Sequence, residues 1–95
     1  MSVAETMRKK LEAAFAPTAL DVVDESEQHR GHGGWREGGE THFRVRLVTP
    51  AFEGESRVAR SRAVHKALEA ELAEKVHALA LELRTPAEAA AAAKT

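Results

Sequence analysis

Residues 41–47 read Thr-His-Phe-Arg-Val-Arg-Leu, and this alternating stretch decides the fold. Phe43, Val45 and Leu47 occupy every second position, with His42 and two arginines between them. Because successive side chains of a β-strand point to opposite faces, the pattern predicts a strand with one buried face. Such a face needs a second layer to cover it, which predicts helices elsewhere in the chain.

The residues before this strand predict a helix, a first strand and a long loop. Ser2 and Glu5 form a capping-box pattern, and apolar residues then recur at helical spacing until Pro17. Weak alternation predicts a strand over residues 18–25. Residues 26–40 hold five of the six glycines and almost no aliphatic side chains, which is typical of a functional or disordered loop. We expect the two strands to form a hairpin.

The residues after it predict two helices, a third strand and a last helix. The helical pattern begins at Ser56 and continues to Leu72, and residues 76–84 alternate again. Thr85-Pro86-Ala87-Glu88 is a second capping box with proline at the first helical position. The predicted fold is therefore α+β, in the order α-β-β-α-α-β-α, with a three-stranded mixed sheet packed on helices.

Length and composition limit the possible functions. Ninety-five residues suffice for one domain, which we place at residues 1–86, followed by a short alanine-rich helix or tail at 87–95. The formal net charge of -1 is not that of a nucleic-acid-binding chain, so such a role would need a local basic patch. No apolar run approaches the ~18 residues of a membrane span, and the polar N-terminus is no secretory signal. We expect a cytoplasmic protein.

Catalysis is not expected. The chain has no cysteine to act as a nucleophile, and Ser26 and Ser56 have no evident histidine and aspartate partners. Asp24 and Glu25 are adjacent at a strand end, so their side chains would face opposite sides and make a poor acid–base pair. No glycine-rich phosphate loop precedes a helix.

Five histidines are the main candidates for chemistry, because imidazole is the commonest metal ligand in proteins. His29 and His32 lie in the glycine-rich loop, where the alternative is a solvated loop in which they have no role. His77 begins the third strand and shares a face with its leucines, so it is either a ligand or a core histidine. His42 is expected to be half-exposed on its strand, and His65 to lie on a helix surface.

Four basic residues form the one locally basic run, with no acidic residue from 57 to 68: Arg57, Arg60, Arg62 and Lys66. Arg62 and Lys66 are four apart and share a helix face. This run could neutralise phosphates or receive an acidic partner, and the alternative is an ordinary solvated helix face. Some nucleic-acid-binding domains hold a single strand with a Gly-x-x-Gly loop between two helices. This chain has Gly54 alone at that junction, so the loop is missing.

Several of these stretches together resemble the BolA family. They match in family order and at near-family spacing, and they cover nearly all of the chain up to Pro86: Val22-Val23-Asp24-Glu25-Ser26, Thr41-His42-Phe43, residues 52–64 (FEGESRVARSRAV) and residues 76–81 (VHALAL). The family's usual Arg-His-Arg is Arg60-Ser61-Arg62 here.

The resemblance implies a class II KH-like fold and partnership with monothiol glutaredoxins. In the family, a bridging [2Fe–2S] cluster is held by the glutaredoxin cysteine, by glutathione and by two ligands from the BolA protein. One of these corresponds to His77 and the other to a histidine of the loop. Counting forward from Asp24-Glu25-Ser26 selects His29, which we favour, whereas counting back from Thr41-His42-Phe43 selects His32. The isolated chain would carry no cofactor.

Two functions are therefore expected to compete. The first is a BolA-like module that shares a [2Fe–2S] cluster with a monothiol glutaredoxin, in iron–sulfur assembly, trafficking or iron regulation. The second is a DNA-binding transcriptional regulator of stress response and cell morphology, acting on duplex DNA through the basic region 57–66. We expect a monomer in isolation, with weak homodimerisation as the alternative.

Overall fold

The computed structural model describes residues 2–25, 42–76 and 78–93. Four α-helices and three strands follow one another in the predicted order α-β-β-α-α-β-α, which is confirmed. They are α1 (Val3–Phe15), β1 (Ala19–Asp24), β2 (His42–Val48), α2 (Arg57–Ala67), α3 (Glu69–Glu74), β3 (Ala78–Arg84) and α4 (Pro86–Ala93). A short 3-10 helix, Pro50–Phe52, lies between β2 and α2.

The strands form one sheet in the order β1-β2-β3, with β2 at the centre. Strand β1 pairs with β2 in the antiparallel direction, and β2 pairs with β3 in the parallel direction, so the predicted mixed sheet is confirmed. Val22, Val45 and Leu81 occupy one cross-strand row. Helices α2 and α3 form the crossover that a parallel pair requires.

The core lies between the helices and one face of the sheet. Phe43, Val45 and Leu47 are 0–2% exposed, as their alternation predicts, and Met7 and Leu11 of α1 pack into the same cluster with no exposed surface. Burial of each such side chain contributes about 1.5–3 kcal/mol. The buried core is completed by five further residues: Val3, Phe52, Val64, Leu68 and Val76.

Strand β2 departs from the predicted alternation at its first residue. His42 was expected to be half-exposed, but it is 5% exposed, so that expectation is wrong. Alternation places a residue on a face of the sheet, but it does not say what covers that face. Arg44 and Arg46, the next residues on this face, keep 37% and 60% of their side chains exposed.

The C-terminal helix belongs to the folded unit. Glu88 accepts a hydrogen bond from the Thr85 N–H at 2.8 Å, and Thr85 Oγ1 accepts one from the Glu88 N–H at 3.2 Å, so the predicted capping box is present. Helix α4 begins at Pro86. A domain boundary after residue 86 would therefore divide a helix whose first turn is tied to the residue before it.

Candidate functional site

The residues on either side of the segment 26–41 and the first residue of β3 lie in a row at one end of the sheet, with His42 of β2 between Glu25 and Ala78. The Glu25 N–H donates to the His42 carbonyl at 2.8 Å, which closes the β1–β2 pair at that end. His42 in turn pairs with Ala78 in the parallel ladder. The residues that border the histidine-bearing loop and the residue that follows His77 therefore belong to one patch of backbone.

The three expected cluster ligands, His29, His32 and His77, lie outside the described residues. Their roles, and the choice between His29 and His32, stay predictions. Within residues 2–25, 42–76 and 78–93, no three His, Cys, Asp or Glu side chains gather into a group that could hold a metal ion.

An ion pair anchors the residue that precedes the loop. Arg44 Nε lies 3.0 Å from Glu25 Oε2, and the two side chains are 37% and 16% exposed. The hydrogen bond to the Glu25 carboxylate, followed by its charge, raises the pKa of the Arg44 guanidinium above its ordinary value. Glu25 is thus held by its side chain as well as by its backbone. The arginines of β2 did not predict this ion pair, because Glu25 lies before residues 26–41 in the sequence and Arg44 lies after them.

The two remaining histidines have different environments. His42 is buried at the end of the β1–β2 pair where the Glu25 N–H donates to its carbonyl. His65 is exposed on α2, as predicted, and its Nδ1 lies 2.8 Å from the Ser61 carbonyl oxygen. Because a carbonyl can only accept, Nδ1 is the donor in this contact.

The basic run 57–66 does not form one surface. Arg57, Arg62 and Lys66 are exposed, but Arg60 is only 8% exposed. Burial separates Arg60 from the other three residues of the run, so it does not belong to a solvated helix face. Arg62 and Lys66 remain together on the outer face of α2, and Arg57 lies on the other side, against β3 and α4.

Arg60 is held by groups from three other parts of the chain. Its Nε donates to the Glu55 carbonyl at 3.0 Å, and its Nη1 donates to the Leu83 carbonyl at 3.3 Å. Glu88 accepts from both Nη atoms, and the guanidinium carbon lies 5.6 Å from the centre of the Phe52 ring. These contacts satisfy the donors of Arg60 internally, which makes it a structural residue. In the sequence, the spacing of Glu88 from Thr85 predicted a helix cap, but it did not predict the ion pair between Glu88 and Arg60.

No helix among the described residues is long and apolar enough to cross a membrane.

Comparison with known proteins places the chain in a family. The BolA family model, described as BolA-like protein, matches residues 11–88. The chain is 44% identical over 85 residues to the DNA-binding transcriptional regulator BolA of Escherichia coli (strain K12), covering 90% of this chain and 77% of that protein. It is 46% identical over 86 residues to BolA-like protein 1 of Mus musculus, covering 90% of this chain and 60% of the mouse protein.

A solved structure has the same fold. The BolA domain of SufE1 from Arabidopsis thaliana superimposes with a TM-score of 0.83 at 43% identity, over 93% of this chain and 96% of that one. The sequence match extends over most of the chain, and the structural match includes both the helices and the mixed sheet described above. The chain belongs to the BolA-like protein family.

Proposed function

We propose that this protein is a non-catalytic module that shares a [2Fe–2S] cluster with a monothiol glutaredoxin, with His77 and either His29 or His32 as its own ligands. The single observation that carries the proposal is the meeting of chain segments at one end of the sheet. Glu25 is bonded to His42, and His42 is paired with Ala78. Ligands placed in the loop and directly before β3 would both issue from this patch.

The donor set fits a shared cluster better than a resident one. The chain has no cysteine, and iron–sulfur clusters are held mainly by thiolates. Imidazole can replace thiolate on one iron, as in Rieske centres. A partner must therefore supply the sulfur ligands, and the cluster is cargo held between two proteins. Imidazole ligands also bind only when neutral, so protonation would favour release.

The test is a titration of cluster-loaded monothiol glutaredoxin with this protein, followed by visible absorption and circular dichroism. We expect the spectrum to change to a saturable end point with the wild-type chain. His77→Ala should remove the change, and only one of His29→Ala and His32→Ala should do so. His65→Ala is the matched control, because His65 is exposed on α2, and it should behave as the wild type. A spectrum that ignores the wild-type protein would refute the proposal.

A second function has one specific observation in its favour. The Escherichia coli relative is named a DNA-binding transcriptional regulator. Arg62 and Lys66 are exposed, four residues apart on α2, and no ion pair engages either among the described residues. The proposed contact with duplex DNA is therefore these two residues rather than the whole run.

Titration of duplex DNA at two or more salt concentrations tests this second function. Replacing one phosphate-binding residue should reduce the steepness of log K against log salt by about 1. Arg62→Ala and Lys66→Ala are the informative variants, and Arg8→Ala on α1 is the control at an exposed basic site. Arg60→Ala is a poor probe, because its loss would disturb the fold. The cytoplasmic location and the monomeric state of the isolated chain stay predictions.

A further inference from the structure

A groove of about 570 Å³ runs between the first half of α2, strand β3 and helix α4. Its size is within the range of ligand-binding clefts, roughly 300–1,000 Å³. Residues with different chemistry line it: Arg57, Ser61, Leu81, Leu83, Arg84 and Ala91. The groove lies along the sheet, away from the end where Glu25, His42 and Ala78 meet.

One side of the groove is the unpaired edge of the sheet. Strand β3 is an edge strand, and the Thr49 N–H donates to the Arg84 carbonyl, so the backbone groups of Arg84 face β2. The backbone groups of successive strand residues point to alternate edges, so the N–H and C=O groups of Leu79, Leu81 and Leu83 point away from β2. Arg60 Nη1 reaches the Leu83 carbonyl from that outer side. Among the described residues, no strand pairs with the outward N–H and C=O groups of Leu81, which are therefore available to another strand.

The free charge around the groove is positive. Glu82 is paired with Arg46 at 2.6 Å, and Glu88 is paired with Arg60. Arg57 and Arg84 are exposed, and no ion pair engages them among the described residues. An occupant that complements this groove therefore carries negative charge, which a peptide supplies as carboxylates.

We propose that this groove binds an extended acidic peptide segment, which adds to β3 as a fourth strand. Main-chain hydrogen bonds to Leu81 would supply the strand pairing, and half-buried Leu81 and Leu83 would receive its apolar side chains. Arg57 and Arg84 would contact its carboxylates. The Arg60 contact with the Leu83 carbonyl ends the free edge there, so strand addition is confined to the part of β3 before it.

The experiment uses the full chain labelled with ¹⁵N and the probe acetyl-Glu-Val-Asp-Val-Glu-Val-amide. Binding should shift the amide signals of Leu79, Leu81 and Leu83 and slow the hydrogen exchange of the Leu81 amide. Arg57→Gln and Arg84→Gln should each weaken the affinity by about two- to fivefold, as expected for exposed ion pairs. Arg8→Gln is the matched control on α1 and should leave the affinity unchanged.

Two altered peptides separate strand addition from simple charge attraction. Replacing the three acidic residues by lysine should abolish binding, because the charge is reversed. Methylating alternate backbone nitrogens keeps the charge but removes donors, and this too should abolish binding. Undiminished binding of the methylated peptide would overturn the proposal. So would shifts confined to residues outside the groove, or a groove filled only by DNA or by a second copy of the chain.

Discussion

The guanidinium of Arg60 and the carboxylate of Glu88 meet side by side, with Nη1 2.5 Å from Oε1 and Nη2 3.2 Å from Oε2. Glu88 also accepts from the Thr85 N–H at 2.8 Å. This pair links α2 to the first turn of α4, and through the Leu83 carbonyl it also links both to β3. Arg60, which stands in a run of basic residues in the sequence, therefore links α2, β3 and α4 through its hydrogen bonds.

The first prediction concerns this tie. Arg60→Ala should lower the free energy of unfolding clearly, because it leaves the Glu55 and Leu83 carbonyls without their donor. Arg62→Ala, two residues along the same helix and exposed, should change it by no more than about 0.5 kcal/mol. Urea unfolding followed by circular dichroism measures both. Equal effects of the two substitutions would mean that the Arg60 contacts contribute nothing.

The second prediction concerns pH. The hydrogen bond from Arg60, and next that from the Thr85 N–H, lower the pKa of Glu88 from an ordinary 4.5 to about 2. Because the folded-state pKa is depressed, the ionised carboxylate stabilises the fold fully above the unfolded-state pKa. That contribution is lost as pH falls from 4.5 towards about 2.

Glu88→Gln isolates this contribution, because glutamine keeps the shape but never ionises. The difference in unfolding free energy between the wild type and Glu88→Gln should be constant near neutral pH and shrink through the acid range. Unfolding curves at several pH values measure it, and Glu12→Gln at an exposed position of α1 is the control. A difference that does not vary with pH would contradict the assigned cause.

The third prediction concerns Thr49, which is fully buried and whose side chain makes two hydrogen bonds. Its Oγ1 donates to the Phe15 carbonyl at 2.7 Å and accepts from the Ala51 N–H at 3.1 Å. Thr49→Val keeps the volume but leaves both groups unpaired, so it should cost about 1–3 kcal/mol for each group left buried. Thermal unfolding measures the loss, and the same change at exposed Thr18 should cost much less.

The fourth prediction concerns the packing of α1. Leu11 has no exposed surface and lies in the core cluster, so Leu11→Ala should destabilise the protein by about 2–5 kcal/mol through reduced burial and a cavity. Urea unfolding measures the change, and Ala13→Ser, on the exposed side of the same helix, is the control. A cost below about 1 kcal/mol for Leu11→Ala would indicate that α1 is not held by this packing.

The fold was predictable because its signals are local. The alternation in β2 and the capping residues Ser56 and Thr85 each depend on neighbouring residues. The number of residues between two strands is likewise read directly from the sequence. They were enough for the element order and for a mixed sheet. The family resemblance, carried by residues 52–64 and 76–81, was confirmed as well.

The environments of individual side chains were less predictable, because they depend on contacts between distant residues. His42 is buried although its position on the strand predicted half-exposure, and Arg60 pairs with a residue 28 positions away. The Glu25–Arg44 pair also joins two residues that are 19 positions apart in the sequence. Neither periodicity nor charge counting contains these distances. The ligand roles of His29, His32 and His77 stay predictions, because these residues lie outside the described part of the chain.

The central position of β2 affects when the sheet can be completed during folding. Its parallel pairing with β3 can form only after both crossover helices have been made and placed, so it joins residues far apart in the chain. Until then, His42 and Ala78 do not meet, and the patch from which the proposed ligands would issue is not assembled. If the proposed function holds, binding of a shared cluster would therefore wait for completion of the sheet.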